Sequence, residues 1–353
     1  VGISLEAAIR NMTLEVGKSF SLPYFDPISF SKGSINLKVF DSIILENGEE
    51  AWWIKSTFGD IETRFLVSTT GDVLRQEGAM GIAMVRMTPE DAQNVPTQDD
   101  PVDLIALSAV KLTGKIKNPR KLKHLVLKIK GVPAEKFVVQ PPLQDLNGDL
   151  LTVNIPELQA LSEMPVALSN PTADDRKWLY STLNLPSEHP EILERAQSIV
   201  AGSEDRLEAV KRLNDFVFDH MQKIPSIGVP NGLQALRNAQ GDCNEHTALF
   251  VSLARAVNIP SRIAVGLVYS SRSGPVRGFY YHAWPEVRFG DIWLPIDPTF
   301  GQLPADATHL KVAHGDLDQQ LEIMGLLGQI ALELPQKIID GQEQHQTTQE
   351  NTP

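Results

Sequence analysis

Cys243, His282 and Asp297 are the residues whose types and spacing could together do covalent chemistry. Cys243 is the only cysteine in 353 residues, so it belongs to no intramolecular disulfide framework and to no multi-cysteine zinc site. It stands in Gly241-Asp242-Cys243-Asn244-Glu245-His246-Thr247, ahead of Leu249, Phe250, Leu253, Ala256 and Val257, which recur at helical spacing. Asp242 suits the N-cap, and Glu245 three positions on can complete a capping box. Cys243 then falls at the first helical position. The unpaired N–H groups and the positive end of the helix dipole there favour a thiolate.

A thiolate that attacks an amide carbonyl needs a base to hold its proton and return it to the leaving amine, and imidazole does this near neutral pH. His282 lies in an apolar stretch, Phe279 to Phe289, that reads as a strand. A polar residue between Tyr281 and Trp284 there is either a satisfied core histidine or one that faces a site. Asp297 follows at the end of the next strand, after a turn at Gly290-Asp291, and a carboxylate placed there can hold the imidazole in one tautomer. Asp297-Pro298 is equally a turn opener. The three together suggest a Cys-His-Asp triad.

Other polar residues carry less. Cys243 and His246 have metal-ligand spacing on one helix face, but without a second thiol the expectation is no metal and no cofactor. His309 and His314 flank an expected strand and show no ligand pattern. One oxyanion donor would be the Cys243 backbone N–H; Gln234 and Gln240 are candidates for a second, or ordinary surface residues. Phe279, Tyr280, Tyr281, Trp284 and Trp293 either wall a groove or form sheet core. The passage Ser270-Ser271-Arg272-Ser273-Gly274-Pro275 is long for a hairpin and is expected to lie over the site.

The elements that must position these residues change character along the chain. Between about Ser34 and Met87, short β-rich runs alternate with Asn47-Gly48, Gly59-Asp60 and Gly71-Asp72, the pattern of an antiparallel meander. Further strands are expected at Leu122 to Ile129 and Leu150 to Ile155. Proline-rich residues 156 to 171 form the expected boundary. Helices then follow over Pro190 to Val200, Glu204 to Met221 and up to about Asn238, before the cysteine helix. Strands are expected at Ser261 to Tyr269, Gly278 to Phe289, Ile292 to Ile296 and around Leu332. The expected division is a β-rich domain over 1–165, a catalytic domain over 166–340 and a disordered tail over 341–353, which is Gln/Thr-rich and nearly without apolar residues.

The sequence Gly241 to Thr247, then Arg255 and Ile259-Pro260-Ser261-Arg262, then His282-Ala283-Trp284-Pro285-Glu286-Val287, then Trp293-Leu294-Pro295-Ile296-Asp297-Pro298-Thr299, resembles the transglutaminase-like superfamily of papain-type cysteine enzymes. The similarity covers about residues 190 to 335. It implies an α+β fold in which a helix carrying the cysteine packs on an antiparallel sheet carrying the histidine and aspartate. It also implies Cys243 as nucleophile, His282 as general base and acid, and Asp297 as the orienting carboxylate. The family includes transamidating enzymes, peptidases, peptide N-glycanases and inactive members, so the resemblance leaves the reaction open. Residues 58–77 resemble the curved β-sheet domains of bacterial envelope proteins that surround apolar ligands or partners; a domain that merely packs on the catalytic half is the other reading.

The bulk composition sets the remaining expectations. A net charge of −12 argues against a nucleic-acid or anionic-membrane partner bound by overall charge, although Lys115 to Lys130 is locally basic. No run of about 18 apolar residues exists to form a transmembrane segment. A first residue of Val1 is compatible with a removed leader, so a periplasmic or envelope location is expected, with the cytoplasm as the alternative. The expected partner is a protein or peptide substrate. The expected activity is amide hydrolysis through a thioester, ahead of transamidation; a non-catalytic peptide-binding scaffold of the bacterial envelope is the alternative.

Overall fold

The computed structural model describes residues 2–26, 31–58, 61–78, 83–93, 109–161, 164–168, 170–224, 229–270, 277–315, 326 and 329–335. The chain divides into two compact units, 1–108 with 321–328, and 109–320 with 329–353. The first unit begins with a helix, α1 (Gly2–Ile9), and continues as the expected meander: β1 (Ser19–Asp26), β2 (Ser31–Ile44), β3 (Glu50–Phe58), β4 (Ile61–Ser68), β5 (Val73–Glu77) and β6 (Ala83–Val85), paired in sequence order and antiparallel throughout. Alternation explains its core. Ile35, Leu37 and Val39 on β2 face Ile54, Phe65 and Val67, and Ile9 of α1 packs among them. A short helix, α2 (Pro89–Gln93), follows.

The second unit is built on a nine-stranded sheet whose strands are β7 (Val110–Thr113), β8 (His124–Lys130), β9 (Gln144–Asn147), β10 (Leu150–Asn154), then β13 (Ser261–Ser270), β14 (Gly278–Phe289), β15 (Ile292–Pro295), β16 (Leu310–Gly315) and β17 (Ala331–Glu333). Two short strands, β11 (Gln222–Lys223) and β12 (Gln240–Gly241), pair separately. Helices α3 (Ala173–Lys177), α4 (Pro190–Val200), α5 (Arg206–His220), α6 (Gly232–Asn238) and α7 (Cys243–Ala256) follow the capping chemistry of their first residues: Thr172, His189, Asp205, Asn231 and Asp242 each accept a backbone N–H. α7 is the central helix. It is buried on more than one face, from His246 through Arg255, because α4, α5 and α6 cover it on one side and β13 and β14 on the other. Among the described residues no helix is long and apolar enough to cross a membrane. The passage 271–276 and the segment 341–353 lie outside the described residues.

The division expected at residues 165/166 falls inside this second unit. Strands β7 to β10 hydrogen-bond into its sheet: Val110 pairs with Phe279, and Gln144 reaches both the carbonyl and the N–H of Lys311. Alternation marks a strand but not the sheet it joins, so strands N-terminal to residue 165 read in sequence as a continuation of the first meander. A fragment spanning 109–353 is expected to melt cooperatively. One spanning 166–353 loses β7 to β10 and is expected to melt at a lower temperature; equal melting temperatures would put the boundary at 165/166.

Candidate active site

Asp242 begins α7 with the expected capping box. Its carboxylate accepts from the Asn244 N–H at 2.8 Å, and Glu245 reaches back to the Asp242 N–H at 2.9 Å. Gly241 precedes it at φ +157, and a Cβ there would collide with the Glu245 side chain. The cap therefore depends on a glycine at this point.

β14 offers the opening into which this helix end docks. One edge is paired with β13 along its length. On the other edge β7 takes residues 278–279 and β15 takes 286–289, which leaves 280–285 between them. Two observations put α7 at that gap: the Tyr281 hydroxyl donates to Asn244 Oδ1 at 3.0 Å, and the Ala283 backbone lies near enough to the Cys243 thiol to favour its charged form. His282 lies between those two residues. Cys243 itself is half-buried.

The β14–β15 hairpin delivers Asp297 as expected, and its carboxylate is buried and fully occupied. Oδ1 accepts the N–H groups of Thr299 (2.8 Å) and Phe300 (3.0 Å). Oδ2 accepts from His282 Nε2 at 2.9 Å and from His309 Nε2 at 3.0 Å. Burial alone would raise this carboxyl, but the two histidines outweigh it and hold it well below the ordinary carboxylate range. The His282 ring stacks on Phe300 at 5.1 Å and on Trp284 at 6.1 Å. Its cross-strand partner is Gly266, where a Cβ would meet the Leu310 carbonyl and the Trp284 ring.

The electrostatics of the thiol differ from the sequence expectation. Burial pushes Cys243 up, and the Asp242 carboxylate pushes it further, while the Ala283 backbone works the other way. Asp242 is itself pushed up to about 6, first by burial. The residues that cap the helix also place carboxylates beside the sulfur, Asp242 foremost, and these act with burial against the thiolate. A neutral resting thiol follows.

His309 is the residue that spacing gave no reason to notice. Burial opposes its charge, yet hydrogen bonds to Asp297 and Asp306 outweigh burial and lift it to about 9. Asp306 is in turn held by Thr308 and by Arg120, whose guanidinium donates to Asp306 Oδ2 at 2.8 Å and lies 4.3 Å over the Phe300 ring. The facing atoms of His282, Asp297 and His309 fall within 4.8 Å of one another, and the 2.9 and 3.0 Å contacts make them a hydrogen-bonded set in which each imidazole donates to Asp297 Oδ2. His246 is turned elsewhere, with Nδ1 2.6 Å from the Asp242 carbonyl. Gln234 and Gln240 have exposed side chains.

Of the aromatic residues, Phe279, Tyr280 and Trp284 are sheet core, and Trp293 supports Arg262 at 4.1 Å. Arg262 belongs to a buried charge cluster in which Glu286 accepts from Arg262 Nε and from Lys311 Nζ, each at 2.7 Å. Arg255 donates to the carbonyls of Ser261 (3.0 Å) and Tyr180 (2.8 Å), fixing the far end of α7. These quoted arginines are structural ties.

Residues 194–298 match the profile of the transglutaminase-like superfamily. No curated protein matches the chain in sequence. Among solved structures, similarity extends to a cysteine-protease candidate from Cytophaga hutchinsonii, at 14% identity and TM-score 0.39 over 60% of this chain and 81% of that one. It extends also to the periplasmic domain of TgpA from Pseudomonas aeruginosa, at 16% identity and TM-score 0.30 over 53% of this chain and 92% of that one. A red sea bream transglutaminase is similar at 12% identity and TM-score 0.24, over 82% of this chain and 43% of that one. The family profile and the cysteine helix docked on an antiparallel sheet agree: residues 194–298, within the second unit, are transglutaminase-like.

Proposed function

We propose that the chain is a thiol-dependent enzyme that cleaves peptide or side-chain amide bonds through a thioester on Cys243. The observation that carries this reading is the hydrogen bond between His282 Nε2 and the buried Asp297 carboxylate. Asp297 accepts on both oxygens and is ionised, so His282 Nε2 carries the proton of their 2.9 Å hydrogen bond. Nδ1 is then left with a lone pair, the form a general base needs.

In this reading the Cys243 sulfur attacks the amide carbonyl carbon as its proton passes to His282 Nδ1. The Cys243 N–H serves as one donor to the developing oxyanion. The intermediate collapses by breaking the C–N bond, and the His282 imidazolium returns the proton to the leaving amine. A water then attacks the thioester, gives a proton to His282, and the C–S bond breaks to release the acid and restore the thiol. Water requires no second binding site, which supports hydrolysis over transfer to an amine.

The test is incubation of the full chain with a labelled peptide library and with cell-wall peptide fragments, with products and Cys243 adducts read by mass spectrometry. A thioester mass on the peptide bearing Cys243, absent in Cys243→Ala, is the expected result. Bound peptide without adduct or product would favour a peptide-binding scaffold, and an amine-linked product would favour transamidation.

A further inference from the structure

We propose that His309 is a standing imidazolium that shares the Asp297 carboxylate with His282 and keeps His282 a neutral base. This makes it a positioning residue, and the inference rests on the triad reading above. The geometry requires two protons on the His309 ring. Nδ1 lies 3.0 Å from the Asp306 carbonyl oxygen, which only accepts. Nε2 lies 3.0 Å from Asp297 Oδ2, and that carboxylate is in an accepting role at every contact, with Oδ1 taken by the Thr299 and Phe300 N–H groups. A neutral imidazole has one N–H and would turn a lone pair on one of these oxygens. The side chain is only 1% exposed, so water cannot repair the mismatch.

The charged groups around the ring allow this. Asp297 faces Nε2, the Asp306 carboxylate lies 3.8 Å from Nδ1, and Arg120 stands behind Asp306. His282, with its ring centre 5.6 Å away, is the remaining titratable neighbour, and the Trp284 and Phe300 rings close the other sides. The elevated pKa of His309 agrees with the proton count.

The consequence falls on His282. In an isolated carboxylate–imidazole pair, the full negative charge raises the basicity of the imidazole. Here one oxygen, Asp297 Oδ2, serves two imidazoles, and the second already brings a positive charge. His282 gains orientation from Asp297, while the charge of that carboxylate is shared with His309. A neutral imidazole is what the attack requires, because the thiol must be deprotonated as it reacts.

The experiment is a ring 15N–1H spectrum of the full-length protein labelled at histidine, titrated from pH 5 to 9, with wild type compared against His309→Gln. Glutamine keeps an N–H donor for Asp297 and removes the charge. The expected result is one ring with both nitrogens protonated at pH 7.5 in wild type, missing in the variant, and a His282 pKa raised by about one to two units in the variant. A His309 ring with an unprotonated nitrogen at pH 7.5 overturns the proposal, and so does a folded variant in which His282 titrates as before. Should the variant not fold, the wild-type spectrum decides alone. Failure to form an acyl-enzyme on Cys243 would remove the proposed reaction without altering these ring states, so the two readings fail separately.

Discussion

Asp297→Asn is expected to lower turnover about 10⁴-fold and to destabilise the fold by about 3–5 kcal/mol. The kinetic part follows from the tautomer: an amide nitrogen facing His282 Nε2 favours the ring form with its proton on Nδ1, where no base remains. The stability part follows from the four hydrogen bonds that Asp297 accepts. Asparagine Oδ1 can still take the Thr299 and Phe300 N–H groups. Its NH₂ then finds an acceptor at His282 Nε2 only through that tautomer switch and still meets the Nε2–H of His309 in a buried pocket, and the charge of His309 loses its nearest counter-ion.

The pH dependence of the difference is a sharper test than its size. His309 has a folded pKa raised from 6.5 to about 9, so its charged form contributes stability that is fully present below about pH 6.5 and lost as pH rises through 9. The part that Asp297 supplies belongs to wild type alone, while the part from Asp306 is common to both proteins. The gap in melting temperature between wild type and Asp297→Asn should therefore narrow between pH 6.5 and 9. Lys311, whose burial lowers it to about 8, titrates in the same window but is common to both proteins and cancels. A gap that stays constant would mean that Asp297 and His309 are not an ion pair.

Sequence carried the site unevenly, and the reasons are physical. The capping box at Asp242 and Glu245, the strand around His282 and the hairpin to Asp297 are all local signals, set by residues a few positions apart, and the structure has each of them. His309 was invisible because its role depends on a turn, Asp306 to Thr308, that folds back beneath β14, and no periodicity reports that return. Arg120 was hidden for the same reason at greater range, since its partner Asp306 lies on the far side of the domain in sequence. The membership of β7 to β10 in the second sheet is likewise a matter of non-local pairing. The thiol differs for another reason: the capping residues that mark the helix terminus in sequence are also carboxylates, and they act with burial against the charge on the sulfur.

That last point makes Cys243 the place for a direct measurement. With one cysteine in the chain, every equivalent of iodoacetamide incorporated reports on this sulfur. The labelling rate is expected to rise with pH from 6 to 9 without an early plateau, and at pH 6 to be no faster than in the denatured chain, whose thiol has a pKa of about 8.5. Asp242→Asn should raise the rate about tenfold above pH 6, because it removes the nearest negative charge while asparagine still caps the helix. Below pH 6 the same substitution should do little, since burial pushes Asp242 up to about 6 and its carboxyl is then already protonated in wild type. Incomplete access to the half-buried sulfur scales the wild-type and Asp242→Asn rates alike and drops out of their ratio. A rate that is already high and flat from pH 6 to 8 would restore the helix terminus as the activating group, and a folded chain that resists labelling at every pH would leave the scaffold reading ahead of the enzyme.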